Sequence, residues 1–152
     1  MKSKLILASN RILGICMLLT IVFAIGCSTP TILSNSPPNA KGKADGQMIE
    51  FIKGSYQWNQ SFADSPTPDS LVKDTTVYII KPSTILTLNY EGNKPDSVSV
   101  TLWENSDQVI RPQGNTFILP SEPGTYVLTV SGEWSGNNRA TNAAAIEVKD
   151  PL

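Results

Sequence analysis

The chain has 152 residues, 40% of them hydrophobic and 16% charged, with 12 basic against 13 acidic side chains and no histidine. That length allows one domain beyond a leader, and the absence of a basic excess argues against nucleic acid as a partner. Lacking histidine, the sequence has no imidazole base, no imidazole zinc ligand and no Ser-His or Cys-His nucleophile.

Taken from the N-terminus, Lys2, Lys4 and Arg11 precede an apolar run over residues 12–25, broken only by Gly14 and Thr20. At about 14 residues the run falls short of the roughly 20 needed to cross the hydrocarbon core. A positive region followed by a short apolar one predicts an exported leader over residues 1–26. It ends in Ala24-Ile25-Gly26-Cys27, followed by Ser28, Thr29 and Pro30.

That ending resembles the lipobox of bacterial lipoproteins. The resemblance covers residues 1–27 and implies cleavage before Cys27, a diacylglyceryl group on its sulfur and further acylation, of the palmitate kind. Two or three acyl chains hold a protein on a membrane stably where one holds it marginally. Cys16 would leave with the leader, so Cys27 would be the sole cysteine of the mature chain and no internal disulfide could form. Removing Lys2, Lys4 and Arg11 leaves 12 − 3 = 9 basic residues against 13 acidic ones, a net charge near −4.

Residues 28–47 are rich in Ser, Thr, Pro, Asn, Lys and Gly and poor in apolar groups. Such a composition predicts a flexible linker over 27–47, acylated cysteine included, reaching about 25 Å. A folded domain is expected over 48–150, where short apolar runs alternate with turn residues and no long helical period appears.

Strands are predicted at 48–55, 75–80, 84–90, 97–102, 108–111, 116–119, 126–131 and 144–149. The clearest is 97–102, with Val98, Val100 and Leu102 on one face and Ser97, Ser99 and Thr101 on the other. Gly92-Asn93, Pro123-Gly124 and residues 135–138 are among the turn signals between them. A helical turn is expected near 69–73. Strands of this length over about 100 residues fit an all-β, immunoglobulin-like antiparallel β-sandwich.

Pro123-Gly124-Thr125-Tyr126-Val127-Leu128-Thr129-Val130 resembles the turn and penultimate strand of bacterial Ig-like domains, where the tyrosine packs at the sheet corner. With Tyr56, Trp58, Trp134 and Ile146-Glu147-Val148, the chain is similar to small lipoproteins and secreted domains of Gram-positive bacilli. Members of that group often carry cysteine pairs near the early tryptophan; this chain has none, and the resemblance implies no activity.

Ser70-Leu71-Val72-Lys73 matches the Ser-x-x-Lys element of penicillin-recognising enzymes, but the companion Lys-Thr-Gly and Ser-Asp-Asn elements are missing. Asp64, Asp69 and Asp74 do not form a calcium-loop ladder. No catalytic residue, metal ligand or cofactor is therefore assigned, and the protein is not expected to be an enzyme. An enzyme working through carboxylates alone is a third, minor alternative.

By phase, Tyr56 and Trp58 share a face with Ile52, and Trp134 continues the face of Tyr126, Leu128 and Val130, so these aromatics are expected in the core. Trp103 instead extends the polar face of Ser97, Ser99 and Thr101. It is either an exposed anchor for a sugar or protein partner or a residue shielded by a loop. The expected function is a binding or structural module on the extracytoplasmic face of the cell membrane, held by lipid on Cys27, with an envelope protein or cell-wall polymer as partner; in a Gram-negative envelope the outer membrane is the other address. The alternative is a regulator or inhibitor of an envelope enzyme or sensor, acting through the loop at 60–73.

Overall fold

Asp45 and Gly46 take positive φ, 47° and 79°, as a two-residue primed hairpin turn requires. They fold the chain into β1 (Ala40–Ala44) and β2 (Gln47–Glu50), paired antiparallel. The computed structural model describes residues 35–103, 112–113 and 115–150. The leader at 1–26, Cys27 and the predicted strand at 108–111 lie outside the described residues.

The hairpin corrects the expected start of the domain. β1 is no part of a linker: it lies between β2 and β6 (Ile85–Tyr90), with Ala40 and Ala44 buried in the core. Pro37 and Pro38 are buried as well. Small side chains in residues 40–44 let the strand enter the core without the branched apolar residues that usually announce one.

The predicted strand at 48–55 is two strands. The chain turns a corner at buried Phe51 and passes from β2 into β3 (Ile52–Trp58) of the second sheet. The first sheet has the order β2-β1-β6-β9-β8, with β9 at Thr116–Ile118 and β8 at Pro112–Gln113. The second has the order β4-β3-β11-β10-β7, where β4 is Ser61–Ala63, β7 is Ser97–Leu102, β10 is Gly124–Trp134 and β11 is Asn138–Val148. β5 (Val77–Ile80) pairs parallel to the end of β11; the other pairings are antiparallel.

The two sheets pack as a sandwich around Ile49, Leu86, Leu88 and Phe117 from one and Val100, Leu128, Val130 and Ile146 from the other. The period-two expectation holds for β7 and β10, whose Val98, Val100, Leu102, Tyr126, Leu128 and Val130 all face inward. Trp58 and Trp134 close one end edge-to-face at 5.0 Å, and Tyr90 meets Trp134 in the same way at 5.4 Å.

Ile52 departs from the expected face. Tyr56 pairs with Ala140 but Lys53 pairs with Asn142, so three steps along β3 match two along β11. This bulge reverses the side-chain phase of β3. Ile52 points outward, 37% exposed, while Trp58 stays buried. The outer face of this sheet also carries α1 (Pro68–Val72), the expected helical turn, whose Val72 covers Ala143 and Ala145.

Candidate functional site

Beyond the part covered by α1, the outer face of the second sheet holds an open groove of about 320 Å³, within the range of small-ligand sites. Its floor follows from strand register. Ser97 pairs with Glu133, Glu133 with Arg139, Arg139 with Gln57, and Gln57 with Phe62. Residues directly opposite one another share a face, so these five side chains form one row across β7, β10, β11, β3 and β4.

The neighbouring row is made of hydroxyls, Ser99, Ser131 and Thr141, continued by Ser55 past the bulge. Two of its members, Thr141 and Ser55, serve the fold. The Thr141 hydroxyl donates to the Ser55 carbonyl at 3.0 Å, and the Ser65 amide donates to the Ser55 hydroxyl at 3.0 Å. The latter bond draws the chain leaving β4 against β3 and raises Asp64 and Phe62 as the groove's far wall.

Buried Asn138 fixes that wall from below. Its side-chain oxygen accepts from the Asn59 amide at 2.6 Å and its side-chain nitrogen donates to the Ser135 carbonyl at 2.8 Å. The β3–β4 turn, where Asn59 has φ 54°, is thereby tied to the β10–β11 turn. Phe62 is left 73% exposed, the most exposed large hydrophobic among the described residues.

The groove sets one cation against two carboxylates. Arg139 faces Glu133 across one strand pair and Gln57 across the other, and Asp64 adds a second carboxylate. Among the described residues Arg139 has no ion-pair partner, while Glu133 accepts a hydrogen bond from Ser97 at 3.0 Å. Planar donors and acceptors thus stand side by side, with an apolar ring at one end.

Trp103 lies elsewhere. It follows β7, is 38% exposed, and its amide donates to the Val127 carbonyl at 2.9 Å. It lies six positions beyond Ser97, about 20 Å along the strand direction. Its indole faces Asp69 of α1, whose carboxyl is held below its ordinary range chiefly by the Thr67 hydroxyl and also by the Ser70 amide and this indole. Trp103 therefore stands beside α1 and does not line the groove.

Lys73 ends α1, and the Ser70 hydroxyl oxygen lies 3.0 Å from that of Thr67. Asp64 and Asp69 are separated, one at the groove and one on α1. Among the described residues no group of three His, Cys, Asp or Glu is placed to hold a metal ion, and no helix is long and apolar enough to cross a membrane. A second cleft, lined by Leu88, Tyr90, Val98 and Phe117, offers about 70 Å³, far below the size of an organic ligand site.

Sequence reasoning missed Phe62, Gln57, Arg139 and Glu133. The available signal was an aromatic residue isolated in the polar stretch Asn59-Gln60-Ser61-Phe62-Ala63-Asp64, where no core phase accounts for it. No protein-family model, curated protein or solved structure matches this chain.

Proposed function

We propose that the protein is a lipid-anchored, extracytoplasmic binding module whose working surface is the groove on the outer face of the second sheet. The row Glu133–Arg139–Gln57–Phe62 carries this reading. An aromatic ring left 73% exposed, in one row with an arginine that has no ion-pair partner among the described residues, is a poor arrangement for stability alone and a good one for recognition.

Support for the address comes from the charged leader and the Ala24-Ile25-Gly26-Cys27 ending. Because the fold already includes Pro37, the tether from Cys27 is shorter than the composition implied. The sandwich belongs on this reading to the immunoglobulin-like class; the Tyr126 hydroxyl donates to the Glu122 carbonyl at 2.9 Å, the back-bond of a tyrosine corner. Residues 60–73 supply a wall of the groove at Phe62 and Asp64 and a cover for the sheet at Val72.

Pull-down from solubilised envelope with the full chain tests the working surface. Phe62→Ala and Arg139→Ala should each reduce recovery of the bound material at least tenfold, while Trp103→Ala leaves it within a factor of two. Equal recovery by wild type and both groove variants would remove the groove from the account. Mass spectrometry of the mature N-terminus tests the anchor separately: an acylated Cys27 is expected, and an intact or otherwise cleaved leader would refute the address.

A further inference from the structure

We infer that the groove takes a neutral glycan chain, one sugar ring lying on Phe62 and the following rings meeting Gln57, Arg139 and Glu133 in turn through their hydroxyls; this rests on the groove being the binding face. The strongest reason is the lack of any positive excess. Arg139 and Glu133 face each other in register, so their fields cancel at short range. Asp64 leaves the wall slightly negative. An anionic polymer would meet one cation and two carboxylates, and a phosphate backbone needs several cations to bind well.

Donor and acceptor inventory points the same way. A guanidinium offers donors only, a carboxylate acceptors only, and an amide both; set side by side, they match neighbouring hydroxyls that each donate and accept. Adjacent strands are about 4.8 Å apart, close to the length of one hexose ring, so successive members of the row meet successive sugars. Phe62, with no polar atom in its ring, complements the apolar face that a pyranose presents along its C–H bonds.

A protein partner fits less well. Stable protein interfaces bury roughly 800 Å² on each side, and their centres are depleted of Glu, Asp and Lys. Here a single aromatic ring stands at one end of a row that also holds Arg139 and Glu133, with Asp64 on its own wall, in about 320 Å³.

Titration of the full chain, isotope-labelled and purified in detergent, tests this with three soluble probes: the tetramer of N-acetylglucosamine, cellotetraose and a glycerol phosphate oligomer. At least one neutral tetrasaccharide should shift the backbone resonances of Gln57, Phe62, Glu133 and Arg139 and leave those around Trp103 unmoved. Its affinity should exceed that of the glycerol phosphate oligomer at least tenfold, and should fall at least tenfold in Phe62→Ala and in Gln57→Ala. Both positions are solvent-facing, and an unchanged thermal midpoint checks that each variant is folded. Tighter binding of the anionic oligomer, shifts outside the row, or no shift with either sugar up to millimolar concentration overturns the glycan assignment. If in that case envelope recovery still depends on Phe62, the groove binds another class of partner; if recovery is independent of Phe62, the binding-face reading falls too.

Discussion

At the scale of single residues, the end of the sandwich shows how one missing side chain admits three aromatic ones. Gly132 faces inward on β10, where a Cβ would come within 2.8 Å of the Trp134 ring and 3.0 Å of the Tyr90 hydroxyl. That close approach lets Tyr90 and Trp58 both meet Trp134 edge-on. The Tyr90 hydroxyl is enclosed with no partner, and burial pushes its pKa up to about 12 from 10.0. Because the folded value lies above the unfolded one, the folded state holds this proton more tightly. Tyr90 therefore contributes its full share of stability below pH 10 and loses it as pH rises toward 12, by on the order of 2 kcal/mol. Tyr90→Phe should change stability by less than about 1 kcal/mol at pH 7, since the hydroxyl has no bond to lose. In urea titrations at pH 8 and pH 11, the variant should show a smaller alkaline decline than wild type. Parallel declines would mean that the hydroxyl is solvated.

At the scale of elements, α1 shows how a five-residue helix persists without the length that isolated helices need. Pro68 presets the first turn, and Val72 and Leu71 settle against Ala143, Ala145 and Val127. The alanines of β11 are small because the helix occupies the space above them. Val72→Ala should lower unfolding stability by about 1–3 kcal/mol, read from the urea midpoint; a change below about 0.5 kcal/mol would show that α1 is only loosely seated. α1 carried only a weak signal of its own, whereas β7 and β10 were legible in the sequence, because in each the apolar spacing and the final burial coincide. The bulge in β3 was not, since one extra residue changes no composition and yet sends Ile52 outward. β4 was hidden for another reason: Ser61, Phe62 and Ala63 make an edge strand too short to show alternation. The candidate site was hidden with it, because Gln57, Phe62, Glu133 and Arg139 are scattered along the chain and meet only through pairing register.

At the scale of the whole molecule, the decisive segment is the one that composition describes worst. Residues 40–44 read as linker because they hold two lysines, a glycine and two alanines, although the Asp45-Gly46 pair is a strong short-range hairpin signal. β1 hydrogen-bonds on both edges, to β2 and to β6. Upstream of it, the Lys53 amine donates to the Pro37 carbonyl at 2.7 Å, and burial lowers the pKa of that amine. A chain beginning at residue 48 would lose a central strand of the first sheet, bare the polar edge of β6 and open the core over Leu86 and Leu88. The loss should rival the entire stability of a domain of this size, about 5–15 kcal/mol. A chain beginning at residue 35 should retain one cooperative thermal transition by circular dichroism, whereas one beginning at residue 48 should show none. In the longer chain, amides of residues 41–43 should be among the slow-exchanging ones, as expected for a strand paired on both sides. A sharp, unshifted transition in the shorter chain would show that the first sheet closes without β1. The groove would then owe nothing to the chain before residue 48, and the domain would begin where composition alone placed it.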